Sequence, residues 1–239
     1  SRYDIPENVI FRITESAGLF GKITLQPSED PYTLRLNVAD TKLYNEIKSI
    51  KKLSKMLILA DITSQSFTLK LVDRGTIKQE LINSGYPVKD EVPLKKGAPL
   101  DIKLRDKTLA GYDFSVRDYQ KEAAEAFYGG GKPGNGFGTI VLACGSGKTI
   151  VGMAIMDIYK TETLILTTNI TAARQWKDEL ISKTNLKEEQ IGEYSGDRKN
   201  IRPVTIATYQ ILTWRPDRES DFPPFEIFRK GNWGIITYD

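Results

Sequence analysis

The chain has 239 residues, 40% hydrophobic and 27% charged, and this balance predicts a folded protein with one large domain or two of ordinary size. It contains no histidine, which excludes Ser-His-Asp and Cys-His nucleophile systems and histidine metal sites within these residues. The single cysteine, Cys144, cannot form a disulfide within the chain, and a net charge of +3 is too small to indicate nucleic-acid binding by itself.

The sequence also shows no membrane or export signal. No run approaches the roughly 18 apolar residues that a membrane-spanning helix needs. The opening Ser1-Arg2-Tyr3-Asp4 lacks the basic and then apolar pattern of a signal peptide. We therefore expect a cytoplasmic protein that does not contact a membrane.

The first part of the chain mixes helical and strand patterns. Apolar residues at helical spacing predict a helix from Ile5 to Phe20. Asp40 and Asp73 are candidate N-caps of two further helices, the second of which ends before Gly85. Alternating segments predict strands over 22–25, 32–38, 56–62 and 67–72, with a candidate last strand over 100–104. This mixture predicts a small α+β domain over residues 1–108.

The second part, residues 109–239, has a different pattern. Ser115 and Asp118 resemble a capping box that opens a helix to about Phe127, and we interpret the glycine-rich segment 129–138 as a connector. Buried-type strands are predicted over 139–143, 163–168, 204–208 and 234–238, and helices over 148–159 and 171–184. Strands that alternate with helices indicate an α/β domain with a parallel sheet covered on both faces.

The strongest chemical signal is a loop between an apolar strand and an apolar helix, Ala143-Cys144-Gly145-Ser146-Gly147-Lys148-Thr149. Its glycines let backbone N–H groups close around phosphate oxygens at a helix N-terminus. Lys148 would neutralise the β- and γ-phosphates, and the Thr149 hydroxyl would bind Mg²⁺. The usual pattern has a glycine where this chain has Leu142, but the strand-loop-helix context still predicts a nucleotide site with Mg²⁺.

A second signal is the apolar segment 234–238, which ends in Asp239. In phosphate-loop NTPases, an aspartate at the end of such a strand holds Mg²⁺, usually through water, opposite the loop threonine. The sequence therefore predicts a catalytic centre of Lys148, Thr149 and Asp239.

Further segments occur in a consistent order over residues 114–239. They are Val116-Arg117-Asp118-Tyr119-Gln120, the phosphate loop with Leu142, Thr167-Thr168-Asn169, Arg174-Gln175-Trp176-Lys177, Ile191-Gly192-Glu193-Tyr194-Ser195-Gly196, Thr205-Ile206-Ala207-Thr208-Tyr209, and Trp233-Gly234 leading to Asp239. Together they resemble the first motor domain of a superfamily 2 helicase, and more narrowly the bacterial branch of the xeroderma pigmentosum group B (XPB) DNA helicases. Family members share the leucine at 142 and usually have proline where this chain has Ala143.

The resemblance implies a RecA-like parallel-sheet motor domain, the first of two, which stops at the acidic DExH box and follows a smaller α+β domain. Gln120 would read the adenine edge with Arg117 nearby. The phosphates would be held by Gly145, Ser146, Gly147, Lys148 and Thr149. The residues that match motifs contacting one DNA strand are Thr168, Asn169, Arg174, Ser195, Gly196 and Thr208. We interpret Trp176 as a buried packing residue.

The function implied by the resemblance is ATP-driven 3′-to-5′ DNA translocation or unwinding in repair or transcription, in a prokaryotic cytoplasm. The chain itself is expected to be an N-terminal fragment that binds nucleotide weakly without hydrolysis, because a second RecA-like domain and the water-activating carboxylate are not in it. The expected partners are DNA as a single strand or fork, and a repair nuclease or transcription partner. The front domain would sense damaged DNA or dock partners.

Three alternatives stay open at this point. The parent protein could be another superfamily 2 translocase, duplex-tracking or RNA-directed, which unwinding assays on DNA and RNA would separate. The chain could instead be a non-catalytic DNA-binding or docking module, in which case the front domain would prefer bubble or lesion DNA over plain duplex. A phosphate-loop kinase would phosphorylate a small acceptor.

Overall fold

The computed structural model describes residues 5–132, 134–196, 198–217 and 223–239. The chain divides into two compact units, Ser1–Leu94 and Lys95–Asp239. The division thus lies 14 residues before the predicted one at residue 108. The reason is that Leu100 and Ile102 are buried in the hydrophobic core of the second unit.

Over residues 5–94, the described part of the front unit, the structure has one mixed sheet and four α-helices. The helices are α1 (Glu7–Leu19), α2 (Thr41–Ser49), α3 (Lys51–Ser54) and α4 (Arg74–Asn83). The strands are β1 (Ile23–Pro27), β2 (Thr33–Val38), β3 (Leu57–Asp61), β4 (Ser66–Lys70) and β5 (Lys89–Asp90). Their order is β3-β4-β2-β1-β5, antiparallel except for the β1–β5 pair. The predicted α+β composition is confirmed, and the short α3 and the two-residue β5 had no counterpart in the prediction.

Alternation along the strands places the core of the front unit on one face of its sheet. Asp40 caps α2 as predicted, since its carboxylate accepts the backbone N–H of Leu43 at 2.8 Å. Helix α2 then presents Tyr44 to the sheet, where its ring stacks on Phe67 with centroids 4.4 Å apart. Asp73 does occupy the N-cap position of α4, but its side chain makes no capping hydrogen bond.

A buried carboxylate joins α4 to β5. Asp90 is 5% exposed and accepts hydrogen bonds from Arg74 Nε at 3.0 Å and Lys78 Nζ at 2.7 Å. Its other oxygen accepts the backbone N–H of Val92. Burial raises the pKa of the Asp90 carboxyl, but these hydrogen bonds outweigh burial, so the pKa lies below its ordinary value of 3.8.

This lowered pKa predicts an acid-sensitive front unit. A carboxyl whose pKa is lower in the folded state stabilises the fold above about pH 4, and that stabilisation is lost as the pH falls through the folded-state pKa. The difference in free energy of unfolding between wild type and Asp90→Asn should therefore be largest at neutral pH and shrink below pH ~4. Urea unfolding at several pH values measures it. Glu29→Gln, which neutralises an exposed carboxylate in the same unit, is the control and should change the free energy of unfolding at neutral pH by no more than about 0.5 kcal/mol.

The second unit contains a four-stranded parallel sheet. Its helices are α5 (Asp118–Tyr128), α6 (Lys148–Tyr159), α7 (Ile170–Lys183), α8 (Tyr209–Leu212) and α9 (Glu226–Lys230). Its strands are β6 (Thr163–Thr167), β7 (Ile191–Tyr194), β8 (Val204–Thr208) and β9 (Ile235–Tyr238), in the order β7-β8-β6-β9. All three strand pairs are parallel. Buried residues of α6 and α7 pack in one cluster with the sheet, and residues of α8 and α9 pack in another. The predicted α/β class is confirmed.

Three local predictions for this unit are wrong. Residues 100–104 form no strand; Leu104 makes only an isolated bridge to Thr184. The residue before α5 is Arg117 instead of Ser115, because the Gln120 side chain accepts the Arg117 backbone N–H at 3.0 Å. Residues 139–143 also form no strand: within the described ranges, β9 is an edge strand that pairs only with β6.

No described helix is both long and apolar enough to cross a membrane.

Candidate functional site

The predicted phosphate loop is a tight turn that ends in the first residue of α6. Gly147 precedes the helix with φ of +78°, a left-handed conformation that favours glycine. The Lys148 ammonium folds back over the loop and donates to the carbonyls of Leu142 at 3.2 Å and Ala143 at 3.3 Å. Ser146 Oγ donates to the same Ala143 carbonyl at 2.6 Å. Lys148 and Thr149 are thus the first two residues of α6, directly after the loop.

Helix α5 holds this loop through two neighbouring side chains. The Ser146 carbonyl accepts a hydrogen bond from Tyr119 Oη at 2.7 Å and another from Gln120 Nε2 at 2.9 Å. Gln120 is 4% exposed, and a Cβ on Gly147 would lie 2.6 Å from its Nε2 atom. Arg117 is exposed, and its guanidinium lies 3.5 Å from Tyr119 Oη. In this conformation Gln120 fixes the loop, so reading an adenine would require it to exchange one of these bonds.

Lys148 and Asp239 line the same cavity of about 470 Å³. The cavity lies between the segment before the loop, including Thr139 and Ile140, and the whole of β9. Lys148 brings an ammonium to this cavity and Asp239 a carboxylate, whereas Gly145–Gly147 and Thr149 are not among its lining residues. An ammonium can bind phosphate and a carboxylate can bind Mg²⁺. Among the described residues, no group of three or more Cys, Asp or Glu side chains could hold a metal ion by itself.

Asp239 continues the hydrogen-bond ladder of β9 and is fixed by a tryptophan. Its backbone N–H donates to the carbonyl of Leu166 on β6 at 2.9 Å. Its Oδ2 atom accepts the indole N–H of Trp176 at 2.7 Å. Trp176 is 3% exposed, so it is buried as predicted, but the sequence did not indicate this hydrogen bond.

The parallel sheet brings the predicted DNA-contacting segments together at the carboxyl ends of its strands. In register, one row runs from the end of β7 to the end of β9 through Tyr194, Ala207, Leu166 and Tyr238, and Thr208 and Thr167 pair one residue further along. Ligands bind at the carboxyl ends of the strands in open parallel sheets. The row therefore unites segments that lie far apart in the chain.

The predicted DNA contacts differ in accessibility. Thr168, Asn169, Arg174 and Gly196 are exposed. Asn169 also caps α7, with its Oδ1 accepting the backbone N–H of Ala172 at 2.9 Å. Ser195 and Thr208 are each only 3% exposed, and the Ser195 hydroxyl donates to Glu193 at 2.9 Å. Contact between DNA and these last two side chains would require a local rearrangement.

Comparison with known proteins is consistent with this arrangement. Residues 113–223 match the family described as "Type III restriction enzyme, res subunit". Over 239 aligned residues the chain is 38% identical to a Kineococcus radiotolerans protein named DNA 3′-5′ helicase XPB, covering 100% of this chain and 40% of that protein. A Mycobacterium tuberculosis protein of the same name is also 38% identical, with 100% and 41% covered.

A more distant relative is the putative DNA 3′-5′ helicase Rad25 of Halobacterium salinarum, 32% identical over 218 residues that cover 91% of this chain and 33% of that protein. The chain thus spans about 40% of the length of the bacterial relatives it matches. Their similarity extends over both structural units. The chain belongs to the XPB family of superfamily 2 helicases.

Proposed function

We propose that this chain carries the nucleotide-binding part of an ATP-dependent DNA helicase that moves 3′ to 5′. The observation that carries the proposal is the shared cavity of Lys148 and Asp239, next to a loop fixed by α5. The names of the XPB relatives support the direction and the DNA substrate.

In this proposal each residue at the loop has a distinct role. Lys148 exchanges its carbonyl partners for the β- and γ-phosphates of ATP, which are stronger, charged acceptors. The N–H groups of Gly145 to Gly147 bind phosphate oxygens at the start of α6. Thr149 and Asp239 would hold Mg²⁺, which would supply positive charge beside the phosphates. Gln120 and Arg117 contact the base.

The sheet edge beside this site is proposed as the DNA path. Exposed hydroxyl, amide and guanidinium groups of Thr168, Asn169 and Arg174 bind phosphates without reading base sequence. Ser195, Gly196 and Thr208 complete the path after local rearrangement. Such contacts need little net positive charge, which agrees with a chain of only +3.

For the front unit and the partners we propose coarser roles. The front unit recognises distorted DNA or docks a repair nuclease or a transcription partner; a relative in Encephalitozoon cuniculi is named a general transcription and DNA repair factor IIH subunit. A second RecA-like domain completes the motor, and the protein works in the cytoplasm of a prokaryote.

We expect the 239-residue chain to bind ATP weakly but not to turn it over. The arginine fingers and the water-activating carboxylate that the family resemblance requires lie outside these residues. A phosphate-release assay with and without single-stranded DNA measures this. Robust DNA-stimulated turnover by the chain alone would contradict this division of roles.

A further inference from the structure

We propose that Trp176 is a positioning residue for the predicted magnesium ligand: its indole N–H holds the Asp239 carboxylate, and its ring locks that donor against the helix of the phosphate loop. The inference rests on the proposed function of Asp239. It goes beyond that function because a buried aromatic residue of α7 is assigned a part in metal-dependent nucleotide binding.

The first support is the geometry of the hydrogen bond. The distance of 2.7 Å between Trp176 Nε1 and Asp239 Oδ2 is short for an N–H donor and typical of a charge-assisted bond. The backbone of Asp239 is held separately by Leu166 on β6. Two independent bonds therefore fix the residue, one through its main chain and one through its side chain. The indole contacts Oδ2, and a carboxylate offers a second oxygen to a metal-bound water.

The second support is the fit of the ring between two elements. Trp176 is 3% exposed and belongs to the same hydrophobic cluster as Val151 and Ile155 of α6. At Gly152 of the same helix, an added Cβ would lie 2.6 Å from Trp176 Cη2. The absence of a side chain at Gly152 thus lets the ring lie directly against α6. Because packing leaves the ring little rotational freedom, the N–H donor has a defined position.

The third support is the choice of residue. Packing alone could be provided by phenylalanine or leucine, which have no polar atom to satisfy. A buried tryptophan normally needs an acceptor for its N–H, and here that acceptor is the carboxylate predicted to bind Mg²⁺. Trp176 lies two residues after Arg174, so one helix carries a predicted DNA contact and the donor to Asp239.

The test compares Trp176→Phe with wild type in the 239-residue chain. Phenylalanine keeps an aromatic ring in the core and removes the N–H donor together with part of the indole ring. ATP affinity is measured by calorimetry with excess Mg²⁺ and again with EDTA. We expect affinity in EDTA to stay within about twofold and the gain from Mg²⁺ to fall roughly tenfold, as for loss of a hydrogen bond to a charged group. Trp214→Phe, the same change at a residue 51% exposed, is the matched control and should keep the gain.

Asp239→Asn and the double variant separate the possible outcomes. Trp176→Phe should add little in the Asp239→Asn background, because both changes act on one carboxylate. A full Mg²⁺ gain in Trp176→Phe, with loss in Asp239→Asn, would overturn this inference and leave the proposed function intact. Absence of any Mg²⁺-dependent ATP binding by wild type would overturn both.

A second measurement compares the folded wild type with Asp239→Asn and does not depend on the stability of Trp176→Phe. The ¹⁵N-indole resonance of Trp176, assigned with Trp176→Phe or selective labelling, should shift in Asp239→Asn, because an amide replaces the carboxylate that accepts the indole N–H. An unchanged resonance in Asp239→Asn would contradict the hydrogen bond and therefore the positioning role.

Discussion

Lys148→Ala is expected to weaken ATP binding by the chain roughly 10- to 100-fold, since hydrogen bonds to charged groups contribute about 1.5–3 kcal/mol. The Lys148 side chain is exposed and donates only to the carbonyls of Leu142 and Ala143 among the contacts described here. Its removal therefore leaves no buried charge unpaired, and the fold should be retained. Calorimetric titration with ATP and Mg²⁺ measures the loss.

Lys121→Ala is the matched control for this variant. Lys121 is an exposed lysine of α5 whose ammonium lies 3.8 Å from Asp118, a weak surface pair. The control removes the same charge from the same unit and should bind ATP as wild type does. Equal affinity in Lys148→Ala and wild type would show that the loop does not hold the nucleotide phosphates.

Phe67→Ala is expected to lower the free energy of unfolding of the front unit by about 3–5 kcal/mol, through lost burial and the cavity that remains. Phe67 is 1% exposed and stacks on Tyr44 at an interplanar angle of 6°, so the surrounding residues cannot easily fill the space. Hydrogen exchange of peptides from β1, β2 and β4 and urea unfolding followed by circular dichroism measure the effect.

The control is Phe20→Ala, the same truncation at a residue that is 62% exposed. It should change the free energy of unfolding by no more than about 0.5 kcal/mol, the usual range for surface substitutions. If both phenylalanines gave the same small effect, the core of the front unit would not be centred on the Tyr44–Phe67 stack.

Local signals in the sequence were sufficient for most of the elements. The helix after the phosphate loop was predicted over 148–159 and is observed over those residues. Asp40 was a reliable cap because its effect depends only on the next three residues. The parallel sheet followed from alternation of strands and helices, which local sequence also records.

The predictions that failed depend on partners distant in sequence. Residues 139–143 were predicted as a buried strand, but only Ile140 and Leu142 pack against the core, and Val141 is 86% exposed. A strand also needs a neighbouring strand to accept its hydrogen bonds, and an apolar segment does not say whether one is present. The same limit applies to residues 100–104, whose apolar side chains are buried without a ladder.

The candidate site shows the same contrast between local motifs, which the sequence reveals, and contacts between distant residues, which it does not. The loop and Asp239 were found from sequence because each is a motif with its own local context. The bonds from Tyr119 to Ser146 and from Trp176 to Asp239 were not, since they join residues 27 and 63 positions apart. Nothing in the local sequence of a tryptophan in an amphipathic helix indicates which acceptor its N–H will find.

Strand unwinding by the full-length protein tests the proposed helicase function most directly. DNA duplexes with a 3′ or a 5′ overhang and a matched RNA duplex are incubated with ATP and Mg²⁺, using wild type and Lys148→Ala. We predict ATP-dependent unwinding of the DNA with the 3′ overhang by wild type and none by Lys148→Ala. Unwinding at the same rate by Lys148→Ala, or none of any DNA substrate by wild type, would contradict the proposed function.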